Sequence, residues 1–324
     1  MTSRTRSGGT AFQQVSKAGE GHFARAFRRL LRKRLAVICM VVLVVVYGAG
    51  IFAAWIAPHD YNAQDYTAIR KPPSTEHWAG TDFTGRDVFT RVLWGVQNTF
   101  ILTAVAILTG GLVIGVTLGL VSGYFGGRTD SVIMRLGEVF ASFPDILLVI
   151  ILAATLRPRI IDGVRWIEDH TALDGLINSG IPDYIVISLA LVAFGWVGMA
   201  RLVRGQVLVL RTTQYVDAAK AIGASTRRIL FAHLLPNAIS PIIVTVSMGM
   251  GSLALTEIFL SWLGLGIQPP RPSLGVMLRD AGSLSALRET PWLLLAPGLA
   301  ALLLVLCWNL LGDALNDVLN PRTR

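Results

Sequence analysis

Apolar residues gather into long unbroken runs along this chain, and polar residues fall between them. Residues 36–57, "AVICMVVLVVVYGAGIFAAWIA", carry no charge, and neither do 99–122, 184–200, 238–256 and 290–312. A hydrocarbon core of about 30 Å is crossed by about 20 helical residues, and a helix pairs every backbone group where water is absent. Five spans are therefore predicted. A sixth is predicted at 131–156, although Arg135, Glu138, Pro144 and Asp145 interrupt it.

Lys and Arg accumulate on the cytoplasmic side of a membrane protein. With six spans and a cytoplasmic start, 19 of the 29 basic residues fall inside and 10 outside. Deleting the sixth span inverts everything after residue 123 and puts the basic 201–233 segment outside. The pattern thus predicts an all-α integral membrane protein of six transmembrane helices with both termini cytoplasmic. Its parts are a basic tail (1–34), a first span with its external loop (35–97), a transmembrane core (98–312) and a C-terminal tail (313–324).

Composition agrees: 53% of the 324 residues are hydrophobic and 15% charged, with a mean hydropathy of +0.58. The formal net charge of +9 does not point to nucleic acid, because "RAFRRLLRKR" (25–34) lies directly before the first span, where basic residues anchor to anionic lipid. That first span reads as an uncleaved anchor, since its run is too long for a signal peptide. Cys39 and Cys307 lie within spans and behave as small apolar residues. No two of the five histidines share a metal-ligand spacing on one helix, so no metal site is predicted. No lysine follows a glycine, which excludes a Walker A loop, and the chain has neither a G-x-S-x-G elbow nor an H-E-x-x-H pair. Any energy for transport must come from a partner or an ion gradient.

One cytoplasmic stretch, "YVDAAKAIGASTRRILFAHLLPN" (215–237), differs from its apolar neighbours. Thr212 or Thr213 can cap a first helix to about Ile222, Gly223 can end it, and Ser225 can cap a second helix to Pro236. Such a knob can transmit a push from a cytoplasmic partner. It can equally be an interfacial hairpin lying on lipid headgroups.

The spacing Asp217-Ala218-Ala219, three residues, Gly223, nine residues, then "HLLP" resembles the EAA loop of ABC-importer permeases. Asp217 stands where the general pattern has glutamate, and His233 where it has isoleucine; "HLLPN" matches the peptide and nickel permeases. "HWAGTDFTGRDVFTRVLWG" (77–95), "LSWLGLGIQPPRPSLGVML" (260–278) and "PWLLLAPGLAALLLVLCWNLLGDALNDVLNPR" (291–322) resemble further segments of that subfamily. The resemblance runs from about residue 25 to 322 and is nearest to the C-type subunit of dipeptide and oligopeptide importers.

The resemblance implies a type I importer permease fold whose coupling helices dock on an ATP-binding subunit. Asp217, Ala218, Ala219, Gly223, Ser225, Leu235 and Pro236 would carry that coupling. It implies a heterodimer with a B-type permease, two ATPase subunits holding ATP and Mg, and an extracytoplasmic binding protein that delivers short peptides at the bacterial cytoplasmic membrane. The chain itself would hold no cofactor and no catalytic residue. Asp82, Gly85, Arg86 and Asp87 would lie in the docking loop for the binding protein. Nickel and glutathione-like peptides are the related substrate alternatives, and an ion-coupled carrier or channel is the rival class.

Among residues inside spans, Glu257, Asp145 and Glu138 are candidates for a pathway or gate, because an intramembrane charge costs about 2.5–3.5 kcal/mol unless it faces protein or water. Glu138 can instead pair with Arg135 one turn away. Gly111, Gly115, Gly119 and Gly123 form a strip for close helix packing. Residues 157–182 form an external insertion unlike the short link usual in peptide permeases, and Ile160, Ile161, Val164 and Ile167 predict a short amphipathic helix on the outer membrane surface.

Overall fold

The computed structural model describes residues 22–171, 173–177 and 179–319. Most of the basic N-terminal tail and the last five residues lie outside that range. Among the described residues every named element is a helix, and the extended pairing consists of one isolated bridge between Thr81 and Asp87.

The apolar runs become the long helices. Helix α1 (His22–Leu30) leads into α2 (Arg34–Ile51), followed by a single turn, α3 (Ala53–Ile56). An irregular loop then reaches α4 (Val88–Phe125), which is 38 residues long. Next come α5 (Gly127–Ala141), α6 (Asp145–His170) and α7 (Ile181–Leu210). The 215–237 stretch forms α8 (Gln214–Ala221) and the start of α9 (Thr226–Trp262). Two short helices, α10 (Leu274–Asp280) and α11 (Leu284–Glu289), precede α12 (Trp292–Leu319). Among the described residues five helices, α2, α4, α7, α9 and α12, are long and apolar enough to cross a membrane.

The sixth span is a bent pair. Helices α5 and α6 meet at 89° across "SFP" (142–144), because proline at 144 lacks the N–H that would continue the helix and disfavours helical geometry at the residue before it. This bent pair must still carry the chain across. Added Cβ atoms at Gly115, Gly119 and Gly123 of α4 would meet Met199, Ala200 with Val203, and Val207 of α7. Residue numbers rise together along this contact, so the two helices run parallel, and two parallel spans require a return crossing between them. Lys33 Nζ also donates to Asp317 Oδ2 at 2.7 Å, placing the entry to α2 and the exit of α12 on one side. That pairing again requires an even number of crossings.

The glycine strip packs within the chain, with one shift of register. An added Cβ at Gly111 meets nothing within 4 Å, whereas one at Gly110 would sit 3.1 Å from Val192. The cause is a π-type widening of α4 over Ile107–Gly115. Each i→i+5 turn rotates the following face by one position, so the four-residue repeat read from the sequence breaks at its first member. The core is built around this seam, extended to α9 and the inner face of the 214–234 segment with Leu120, Val203, Val207 and Leu234 buried, and around a second, α12 against α2, with Leu43, Tyr47, Leu304 and Leu311 buried.

The external insertion differs from expectation. Its first half is no separate amphipathic helix: α6 runs on through Pro158 to His170, so the 160–167 face is the last part of a 26-residue helix. Arg157 Nη2 then donates to Asp183 Oδ1 at 2.7 Å at the head of α7.

Candidate coupling surface and external loop

Thr213 occupies the N-cap position of α8 without a side-chain cap bond, and its hydroxyl donates back to the Leu210 carbonyl. The helix ends at Gly223, whose φ of +79° is the left-handed conformation that glycine adopts without a Cβ penalty. Ser225 then caps α9, accepting from the Arg228 N–H at 3.4 Å. This second helix does not stop at Pro236. After a π-type turn over Ile229–Leu234 it continues through the proline to Trp262. Pro236 is tolerated because the widened turn precedes it and the backbone partners are rearranged there. The knob and the fifth span are therefore one rod.

The two sides of this knob have opposite characters. Val216, Ala219, Ile229, Leu230 and Leu234 are buried, four of them packed with Leu120, Val203 and Val207 of the spans. Asp217, Ala218, Gly223, Ser225 and Pro236 are exposed and Leu235 is half-buried. Asp217 makes only a surface pair with Lys220, at 3.1 Å. Ile222 is 86% exposed at the tip, a residue the motif reading passed over. An isoleucine one position before the left-handed glycine is the clue that was available.

Behind the knob lies a polar clamp. Arg204 Nε and Nη2 donate to the two carboxylate oxygens of Asp130 at 2.5 and 2.6 Å, and Ser122 donates to the same carboxylate. Arg211 reaches the Gly123 carbonyl at 2.9 Å. A bidentate guanidinium–carboxylate pair fixes orientation as well as distance, so the ends of α4 and α7 and the start of α5 are held as one unit beside the knob.

The loop between α3 and α4 treats its motif residues differently. Asp82 accepts from the N–H and hydroxyl of Thr84 and from the N–H and Nε of Arg86. Burial pushes the Asp82 carboxyl up, yet these backbone and side-chain donors outweigh it and hold the group below the usual carboxylate range. Gly85 has φ +78°, and a Cβ there would lie 2.1 Å from the Asp65 carbonyl oxygen. Asp87 is 2% exposed; it caps α4 by accepting from the Thr90 N–H at 2.7 Å, and its other oxygen lies 3.0 Å from His77 Nδ1. Arg86 is half-buried. These four residues build the loop, while its outer surface is offered by others such as Trp78, 57% exposed.

The three intramembrane acids are distributed unequally. Glu257 is 1% exposed between α4 and α9, accepting from the Thr99 hydroxyl at 2.6 Å and the Ser261 hydroxyl at 2.8 Å. Glu138 is exposed on α5, and no ion pair joins it to Arg135 among the described residues. Asp145 begins α6, and its side chain lies outside the described part of the structure. Glu138 and Glu257 thus sit in opposite surroundings, one exposed and one buried.

At the head of α7, Arg157, Asp183 and Arg271 line a cavity of about 360 Å³ with Gln268 and residues of the insertion. Asp183 also accepts from the Gln268 N–H at 3.0 Å, and Tyr184 donates to Asn98, which itself holds the Pro272 carbonyl at 2.7 Å. The insertion is thereby tied to the loop after α9.

The chain is similar to known proteins over most of its length. Residues 115–324 match the family model described as "Binding-protein-dependent transport system inner membrane component", and residues 22–73 match the "N-terminal TM domain of oligopeptide transport permease C". The chain is 36% identical to the oligopeptide transport system permease protein OppC of Bacillus subtilis over 96% of this chain and 93% of that one. It is 39% identical to the dipeptide transport system permease protein DppC of the same species, over 92% of this chain and 85% of that one. It is also 37% identical to the glutathione transport system permease protein GsiD of Pectobacterium atrosepticum, over 92% and 90%. With well over half of its length covered by one family model and relatives 36–39% identical over more than nine tenths of it, this protein belongs to the inner membrane component family of binding-protein-dependent transport systems.

Proposed function

We propose that this chain is the C-type membrane subunit of an ATP-driven importer of short peptides. The observation that carries the reading is the knob of residues 214–228: an exposed tip on an anchored base, continuous with a membrane span. Closure of a partner ATPase against Ile222, Asp217 and Ala218 would move α9 as a rigid lever, and the Asp130–Arg204 clamp would pass the movement to α4 and α7. ATP and Mg would be bound by that partner.

Two further parts complete the assembly. A B-type permease would form the second half of the pathway, and an extracytoplasmic binding protein would deliver the peptide to the loops around Trp78 and the 157–183 insertion. Both termini would face the cytoplasm, a reading supported by the Lys33–Asp317 pair and by the basic residues around α1 and α8. Glu257 would act as a gate element: its carboxyl, held only by two hydroxyls, is the group whose partners must change if α4 and α9 separate. Similarity to a glutathione permease favours one second reading, a tripeptide-like thiol substrate.

The test is purification of the tagged chain from its own membranes in mild detergent with mass spectrometry of what stays bound. An ATP-binding subunit, a second permease and a binding protein are expected, and the ligand of that binding protein names the substrate. Recovery of the chain alone, under conditions that preserve other complexes, overturns the reading in favour of a carrier or channel.

A further inference from the structure

Three potential metal ligands that are distant in sequence meet in the loop between the first and second spans. His59 follows α3, His77 lies in the middle of the loop and Asp87 is the first cap of α4. One donor atom from each lies within 4.8 Å of the other two. The His59 and His77 rings stack with centroids 4.8 Å apart, and His77 Nδ1 is 3.0 Å from Asp87 Oδ1. The side chains of His77 and Asp87 are 7% and 1% exposed.

A hydrogen-bonded His77–Asp87 pair accounts for two of the three. It leaves His59 unexplained, because His59 Nδ1 is buried without a hydrogen-bond partner. An unpaired buried polar atom costs about 1–3 kcal/mol, and a neutral imidazole nitrogen with a free lone pair is a metal ligand. The geometry points to a site for one divalent transition metal of the zinc class, bound by His59, His77 and Asp87.

The donor set selects that class. Two imidazoles and one carboxylate suit zinc, cobalt, nickel or copper, whereas calcium and magnesium require oxygen ligands. A tetrahedral centre with bonds of about 2.0–2.1 Å sets its ligand atoms about 3.4 Å apart. The widest pair therefore closes by at most about 1.4 Å, which small side-chain rotations supply. The metal takes the place of the proton between His77 Nδ1 and Asp87, and the neutral imidazole then carries its one N–H on Nε2. Asp87 is already oriented by the Thr90 N–H on its second oxygen, and His77 is fixed by reciprocal bonds with Ser74 at 2.8 and 3.0 Å. Outer partners of this kind position ligands before the ion arrives. The fourth position remains for water or a group from a neighbouring protein. Bound metal would tie the exit of the first span to the head of the second.

The test uses the full-length chain purified with an affinity tag that contains no histidine. Zn²⁺ is titrated against a chromophoric chelator, and Co²⁺ absorption reports the coordination geometry. Wild type is expected to take one Zn²⁺ per chain, to give the intense visible bands of tetrahedral Co²⁺, and to melt at a higher temperature with Zn²⁺. His59→Ala removes the ligand whose Nδ1 has no hydrogen-bond partner and keeps both members of the His77–Asp87 pair. It is expected to weaken Zn²⁺ binding by about 100-fold or more and to abolish the thermal shift. Absence of stoichiometric binding in wild type overturns the site, as does binding of equal strength in His59→Ala, which would place the ion at another histidine.

Discussion

The knob at α8 and the start of α9 and the loop between α3 and α4 both hold the residues that family motifs mark out, and they hold them in opposite senses. In the knob, Asp217, Ala218, Gly223 and Ser225 face outward, and the apolar residues between them anchor it. In the loop, Gly85 and Asp87 are buried, and Asp82 spends its oxygens on its own turn. A recurrent motif thus has two physical origins. One is a surface shaped for a partner; the other is a scaffold whose burial leaves few alternatives. Substitutions separate them, because scaffold changes alter stability whereas surface changes alter coupling alone.

The largest expected effect is at the hinge of the knob. Gly223→Pro cannot adopt φ +79° and loses the N–H bond to the Lys220 carbonyl, so the tip no longer points as it does. Membrane insertion and assembly are expected to persist while substrate-stimulated ATP hydrolysis by the complex is abolished; retained stimulation would break the assignment of the knob as a surface.

Next is Asp87→Ala in the loop, which removes the cap of α4 and leaves His77 without its partner. Cap loss costs about 0.5–2 kcal/mol and an unpaired buried polar group about 1–3, giving a destabilisation of about 1.5–5 kcal/mol in thermal melts of the purified chain. Gly85→Ala should cost roughly 1–3 kcal/mol, because alanine is strained at φ +78° and its Cβ collides with the Asp65 carbonyl. Equal melting of wild type and either variant would show that the loop is not the scaffold described.

The smallest effect is the response to acid. The folded Asp82 carboxyl titrates below its unfolded value of about 3.9, so its contribution is fully present above that value and is lost as pH falls below it through the folded pKa. Fluorescence of a variant retaining only Trp78 should be flat down to about pH 4 and change below it; a change centred above pH 5 would implicate another group.

Much of the architecture was legible because one physical rule dominates it. Apolar runs of about 20 residues must be helices in lipid, and the charge asymmetry fixed the crossing count that the parallel α4 and α7 helices require. The departures arise where backbone geometry interrupts a periodic pattern. Pro144 bends the sixth span, the π-type turn moves the close contact from Gly111 to Gly110, and a second such turn lets α9 pass through Pro236. The knob was readable because its helix signals are local: a left-handed glycine followed by a serine cap. The inward orientation of Asp87 and its meeting with His59 and His77 were not. Those residues are joined by an irregular loop, and its path depends on hydrogen bonds such as those of Asp82 and Thr81 that no periodicity encodes.

The most direct test of an outward-facing knob uses its tip. Ile222→Cys, in a background where Cys39 and Cys307 are replaced by serine, is assembled with its ATPase partner and exposed to a short bifunctional thiol–amine crosslinker. A crosslink to the ATPase subunit that changes in yield between nucleotide-free and ATP-bound complexes is the predicted result, with Trp78→Cys on the external loop giving none. No crosslink from Ile222→Cys in a complex that still hydrolyses ATP on substrate addition would contradict coupling through this surface.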